Sequence, residues 1–355
     1  RPYFIGASDR VDDSIPLQLD SFFNGLIDRF VISESSDFID LNNLDSGNIL
    51  ADYKFNPGCD LNNSEILHDH SDNGNHGAIN GATWVDSNPN EYLVPQEFST
   101  IQEAIDYSSD GDTIFVSAGT YFENINFNGK NISLIGEDRE TTIIDGSQNG
   151  RVVEISECTG IVSLVSFTIR NGNHSGGGGI YIYGSAPHIE NLIIRDNHAT
   201  IDGGGVHSHA AFPIMDNLIV TNNTSGGEGA GLYIENTYDN GEVVIRNSQI
   251  FDNNSNTDGG GICINESRVL IDDSEIINNS ALSNGGGIFL ENSNAEINKC
   301  VFHNNHAGVG GGAIDSNSSD IIIDGATIAC NKIDEPSQGG SSIDVKDTSS
   351  TTLVK

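Results

Sequence analysis

Hydrophobic and polar positions recur in a fixed order over the last two thirds of the chain. An apolar residue stands about three before an asparagine. This occurs at Ile194/Asn197, Val220/Asn223, Phe251/Asn254, Ile276/Asn279, Phe302/Asn305 and Ile328/Asn331, with a distorted first copy at Phe167/Asn171. A glycine-rich turn follows, and then an aliphatic residue: Ile180, Val206, Leu232, Ile262, Ile288, Ile314 or Ile343. The aliphatic spacings are 26, 26, 30, 26, 26 and 29 residues. A fixed period of this size marks stacked structural units. Within each period the apolar residues alternate over short stretches such as "GIYIY" and "HIENLII", which is the pattern of strands with one face buried. No helical period fits inside a repeat. The expectation is an all-β chain in which about 26 residues make three short strands and three turns. Each strand then pairs in parallel with its own copy one coil on, at a rise of about 4.8 Å. That is a β-solenoid, a right-handed parallel β-helix of about ten coils.

The pattern has a physical cause. The aliphatics form an inner column, each coil burying its neighbour's face. Asparagine amides at coil spacing can hydrogen-bond along a ladder and satisfy turn groups that water does not reach. Glycine supplies the positive φ of sharp turns. The Asn-x-Ser/Thr triplets beginning at Asn173, Asn222, Asn253 and Asn278 are read the same way, as turn architecture rather than glycosylation sites.

Ahead of the repeats, Ser99 and Gln102 form a capping-box pattern, and Ile101, Ala104 and Ile105 share one helical face. A short N-terminal helix is expected to cover the open strand edges of the first coil. Residues 1–91 form a separate region and residues 92–355 the solenoid. The stretch "STIQEAIDYSSDGDTIFVSAGTYFENINF…ISLIGED…TTIIDG" resembles the first-coil segment of pectin-lyase-like right-handed β-helix proteins, pectin methylesterases among them. "FHNNHA…GGAI" is similar to the repeats of chlamydial polymorphic membrane proteins, which are surface adhesins. "FFNGLIDRFVIS", "ILADYKFNPG" and "HDHSDNGNHGAINGATWV" resemble the last and the first strands of laminin-G/concanavalin-like jelly rolls, in that order. A small, partial jelly-roll-like β region is therefore expected before the solenoid. The superfamily holds lyases, hydrolases, esterases and non-catalytic adhesins, so the resemblance implies a fold and leaves the activity open.

Composition narrows the partners. Fifty-one acidic against 15 basic residues give a formal charge of −36, which argues against nucleic acid and anionic membrane surfaces. No apolar run reaches the ~20 residues of a membrane span. No signal peptide is visible, and the chain opens with Arg1, so its natural start is expected to have been removed. A secreted or surface location is expected. Five cysteines are without metal-ligand spacing, and most of them read as buried small hydrophobes. No cofactor is required by any motif. Calcium is the ion that Asp69, Asp72, Asn73 and Asn75 could hold through oxygens, and an Asx-rich turn is the competing reading.

The catalytic signatures of the resembled enzymes are missing. "NTDG" at Asn256–Gly259 followed by Asp272-Asp273 is a partial polygalacturonase pattern, but Asp258 occupies the same repeat column as Asp202 and Asn284. A second column holds more promise. If the aliphatics point inward, the next residues point out: Tyr181, His207, Tyr233, Cys263 and Phe289. Two further on come Tyr183, His209, Glu235, Asn265 and Glu291. Rings flanked by acids and amides suit a polysaccharide, whereas the same rings could stack on one another to stabilise the sheet. His207 and His209, with His198 and His188 nearby in sequence, could hold a transition metal, but no cysteine or carboxylate spacing accompanies them. The expectation is adhesion to polysaccharide or cell-surface glycan through the stripe Tyr181, Tyr183, His207, His209, Tyr233, Glu235 and Phe289. A polysaccharide lyase or glycoside hydrolase is the first alternative. A structural subunit is the second, self-associating end to end or through the N-terminal β region; "DVKDTSSTTLVK" shows no capping helix, so either the parent chain continues or the coil ends bare, and a bare end would invite stacking.

Overall fold

A computed structural model describes residues 90–237, 241–334, 340, 342–346 and 350–354, together with the backbone of four short strands before them. Two compact units divide the chain, Arg1–Asn88 and Pro89–Lys355. In the first, Arg29–Ser33 pairs antiparallel with Ile49–Lys54, and Ile66–Leu67 pairs antiparallel with Gly77–Ala78. Asp69, Asp72, Asn73 and Asn75 lie outside the described residues.

The second unit is a parallel β-solenoid of about ten coils. Four sheets run along it. Sheet 1 has nine strands, from Ile125–Asn126 to Ile343–Lys346. Sheet 2 has eleven, from Glu91–Val94 to Ser350–Val354. Sheet 3 has nine, from Gly119–Tyr121 to Thr327–Ala329. Sheet 4 has seven, from Asn173–Gly176 to Lys332–Ile333. One coil visits them in order: Ile180–Tyr183, His188–Glu190, Ile193–Arg195, His198–Asp202. Three strands per coil were expected. The fourth is often only two residues long and lies in the glycine-rich stretch, where no hydrophobic alternation announces it.

The aliphatic column is in register as the period requires. Ile180 pairs with Val206, and the series continues through Leu232, Ile262, Ile288 and Ile314 to Ile343. All but Ile343 are fully buried, and they belong to one continuous core. Burial of each such side chain contributes roughly 1.5–3 kcal/mol. The four extra residues of the 30-residue coil fall between Glu235 and Val243, at a corner outside the sheets, so the register survives.

The asparagine ladder is present, with two copies reassigned. It runs through Asn197, Asn223, Asn253, Asn279, Asn305 and Asn331, each Nδ2 donating to the next Oδ1 at 3.0–3.1 Å. The member in the fourth repeat is Asn253, three after Ile250, rather than Asn254. In the first repeat the site is taken by Gly172, whose N–H donates to Asn197 Oδ1 at 2.9 Å. Asn171 precedes it at positive φ, the conformation that also precedes each ladder asparagine, as at Asp252 and Asn278. Asn253 is buried, and Asn222 and Asn278 occupy these turns, in keeping with the architectural reading of their triplets.

The helix forms at Ile101–Tyr107, with Ile101, Ala104 and Ile105 buried in the same core. Its cap is shifted by one residue from the expected box. Thr100 Oγ1 accepts from Glu103 N–H at 3.1 Å, and the Glu103 carboxylate accepts from Ser99 N–H. Cys158, Cys263 and Cys300 are buried thiols and Cys330 is exposed; Cys59 lies outside the described residues. No helix among the described residues is long and apolar enough to cross a membrane.

Candidate functional site

Alternation along sheet 1 sends two columns of side chains away from the core. The first runs Tyr181, His207, Tyr233, Cys263, Phe289, Asp315 and Asp344. The second, two residues later in each strand, runs Tyr183, His209, Glu235, Asn265, Glu291, Asn317 and Lys346. Both point outward as the sequence requires, but they are not equally open.

In the first column Tyr233 is 6% exposed, Phe289 7% and Cys263 fully buried, and the three form a small cluster of their own outside the main core. This corrects the expectation that Tyr233 and Phe289 present their rings to solvent. The cause is the glycine-rich turn before each strand, which folds back over this position. A Cβ on Gly229, at φ +57, would lie 2.9 Å from Tyr233 Cβ. The Glu228 carboxylate completes the cover and accepts from Cys263 Sγ at 3.3 Å. Burial lifts the Glu228 carboxyl above its ordinary range, and burial likewise lifts Asp202. Alternation fixes which way a side chain points; it does not reveal what lies over it.

The second column is open. Tyr183 is 38% exposed, and His209, Glu235, Asn265, Glu291 and Asn317 are half-buried. The accessible face is thus a tyrosine, an imidazole and then carboxylates alternating with amides, one per coil. At its upper end the two columns meet. His207 stands between Tyr181 and Tyr233, edge-on to both, at centroid distances of 5.3 and 4.9 Å. Tyr183 lies 5.4 Å from His209. The Arg151 guanidinium sits over the Tyr181 ring at 4.1 Å and pairs with Glu154 at 3.1 Å.

Glu235 is the hub. Its Oε1 lies 2.9 Å from His207 Nε2 and 2.6 Å from His209 Nδ1. Burial alone would raise the Glu235 carboxyl; the hydrogen bonds from the two imidazoles outweigh it and hold the group below the ordinary range. One ligand atom each from His207, His209 and Glu235 lies within 4.8 Å of the others. The sequence reading found the histidines and missed the carboxylate as their partner. Glu235 lies 26 residues from His209, one coil, and that period is the signal that connects them. His188 and His198 do not join them. His188 faces Glu190 on sheet 2 and His198 contacts Thr224 on sheet 4.

The partial polygalacturonase pattern dissolves in the fold. Asp258 Oδ1 accepts from Asn284 N–H at 2.7 Å, and two coils earlier Asp202 Oδ1 accepts from Glu228 N–H at 2.7 Å, the same contact between the turns of adjacent coils. Asp272 and Asp273 lie at the corner after sheet 2, next to Lys299. Asp258 belongs to the turn before sheet 1, so the pattern does not assemble a carboxylate pair.

Residues 273–291 and 299–319 match the model of the Chlamydia polymorphic membrane protein repeat. Two coils carry that repeat. Each matched stretch spans a strand of sheet 3 (Glu275–Ile277, Val301–His303), the ladder corner, a short strand of sheet 4 and, in order, the sheet 1 strands Ile288–Glu291 and Ile314–Asn317. No curated protein sequence matches the chain. Among solved structures, a pectin methylesterase from carrot is 13% identical, with a TM-score of 0.39, over 76% of this chain and 84% of that one. A pectin methylesterase from Aspergillus niger is 13% identical, with a TM-score of 0.37, over 77% and 86%. The enzymatically active domain of tailspike protein 2 from bacteriophage CBA120 is 14% identical, with a TM-score of 0.34, over 91% and 54%. Likeness of this degree bears on neither the chemistry nor the ligand of this chain.

Proposed function

We propose that the chain is a non-catalytic repeat protein of the cell surface or extracellular space that binds polysaccharide along the open column of sheet 1. The observation that carries this reading is the column itself. It is a straight row of Tyr183, His209, Glu235, Asn265, Glu291 and Asn317, held in register by the parallel pairing of a rigid sheet. Rungs about 4.8 Å apart place side chains of alternate coils at about the length of a disaccharide. The exposed tyrosine offers a flat face for a sugar ring, and the amides and carboxylates offer partners for hydroxyls. The location is supported by the acidic composition and by the membrane-protein repeat carried by two coils.

The test is a panel of acidic and neutral polysaccharides, with and without calcium, in which binding and product release are followed together. Saturable binding without cleavage, weakened at least tenfold in a Tyr183→Ala/Glu291→Ala double variant, is the expected result. New reducing ends or unsaturated products would replace this reading with the enzyme alternative, for which the half-buried acids Asp202 and Glu228 are the groups to substitute. No binding to any member would overturn both and leave the structural-subunit reading to light scattering.

A further inference from the structure

We infer that His207, His209 and Glu235 form a binding site for a divalent transition ion of the zinc class. The inference stands whether or not sheet 1 binds a glycan.

The three side chains engage one another before any ligand. His207 Nε2 and His209 Nδ1 both address the same oxygen, Glu235 Oε1, at 2.9 and 2.6 Å. The other carboxylate oxygen has only a 3.3 Å contact, from Asn236 Nδ2. His207 Nδ1 is buried and has no hydrogen-bond partner among the described residues. The whole polar engagement of that ring is therefore with Glu235. Two imidazoles converging on a single anionic oxygen surround a point where one cation could take all three ligand atoms. Zinc binds histidine nitrogen at about 2.0–2.1 Å and carboxylate oxygen at about 2.0–2.2 Å. Tetrahedral ligands at those distances stand roughly 3.3 Å apart. The three atoms here already lie within 4.8 Å of one another, and the two hydrogen-bonded pairs, at 2.9 and 2.6 Å, need to open by only about 0.4 and 0.7 Å to admit the ion.

The scaffold favours preorganisation. His207 and His209 alternate on one strand, and Glu235 is fixed beside His209 by backbone pairing with the next. Tyr181 and Tyr233 hold the His207 ring from both sides. Rigid elements of this kind hold first ligands more accurately than loops do. Access is from the His209 side, where the imidazole is 34% exposed against 13% for His207. Three protein ligands leave at least one coordination position for water or a ligand oxygen. Nitrogen donors select against calcium and magnesium and suit zinc, copper, nickel or cobalt. A formal charge of −36 attracts cations to the surface generally.

The experiment uses the full chain freed of metal by chelation. Co²⁺ is added and its visible absorption recorded, and Zn²⁺ is titrated calorimetrically. The expected result is one saturable equivalent that weakens at least tenfold in Glu235→Gln and in His209→Ala. Zn²⁺ should also raise the thermal midpoint of the unsubstituted chain and not of the variants, since a ligand bound only by the folded state stabilises it. If His209→Ala is unstable, His209→Gln keeps a side-chain donor beside Glu235 and separates folding from metal binding. The chain has ten histidines, so binding that survives both substitutions lies elsewhere and overturns the assignment. So does the absence of any saturable equivalent. Tyr183→Ala should retain the metal while losing glycan, so the two proposals fail separately.

Discussion

Asn253 accepts from Asn223 through both N–H and Nδ2 at 3.0 Å. It donates to Asn279 Oδ1 and to Val220 O, also at 3.0 Å. Every polar atom of a buried amide is thereby used, and it serves the coils on either side. Replacing such a residue strips partners from two neighbours. Asn279→Ala is expected to cost about 2–4 kcal/mol, because buried groups left without partners cost roughly 1–3 kcal/mol each. The adjacent Asn278, exposed and at φ 55, should accept glycine with a change of less than about 1 kcal/mol. Urea denaturation of the two variants tests the contrast. The ladder was legible because its cause is local. The choice between Asn253 and Asn254 was not, since the apolar pair Ile250–Phe251 precedes both and only the positive φ at Asp252 decides it. Asp315 supplies a titration at the same scale. Burial lifts its carboxyl to about 6, partly opposed by Lys346 at 2.7 Å. A carboxyl raised on folding holds its proton more tightly in the folded state, so the stability it contributes is complete below about pH 4 and is lost as pH rises to about 6. The loss is at most about 3 kcal/mol. Asp315→Asn should flatten that limb of the stability curve, measured by denaturation at steps from pH 4 to pH 7.

The element that sequence reads least well is the glycine-rich turn. It carries the fourth strand of each coil and covers the first outward column of sheet 1, yet its composition gives no periodicity to follow. Its glycines act by close approach. A Cβ on Gly260 would strike the carbonyl oxygens of Ser280 and Gly286, the latter at 2.5 Å, and neither backbone can withdraw without breaking hydrogen bonds between coils. Gly184, at φ +56, has open space around its Cβ position and would suffer only backbone strain. Gly260→Ala is therefore expected to destabilise by more than about 3 kcal/mol and Gly184→Ala by about 1 kcal/mol. Thermal melts followed by circular dichroism rank the two. The helix was legible in type and buried face but not in its cap. Ser99, Thr100, Gln102 and Glu103 offer two overlapping boxes, and Thr100 with Glu103 forms the one that places Ile101, Ala104 and Ile105 in the core. In the candidate site, the direction of every side chain followed from alternation. The burial of Tyr233 and Phe289 did not, because the glycine-rich turn before each strand carries no periodicity to show that it folds back over them. Nor did the grouping of Glu235 with the histidines, which needs the coil period read across strands.

At the scale of the molecule, the repeat was enough to indicate a stacked β architecture, since a 26-residue period of short alternating segments leaves no other way to bury one face of each coil. The region before Pro89 has no such period, and its resemblance to jelly-roll strands rests on short stretches that packing alone could place. The equal spacing of the ladder has a further consequence, for inheritance. Asn253, Asn279, Asn305 and Asn331 are 26 residues apart and chemically interchangeable. A recombination event that removes residues 280–305 would join Asn279 to His306, leaving an unbroken column and every sheet in register. The shortened protein should fold cooperatively, with a thermal midpoint within a few degrees of its parent. Removal of 25 residues from the same corner would set the next amide out of line and should yield no cooperative melt. Four additional residues are already accommodated between Glu235 and Val243. A lineage carrying this architecture can therefore change its reach in whole coils and decorate its corners freely, while an error of one residue at the asparagine corner is eliminated at folding.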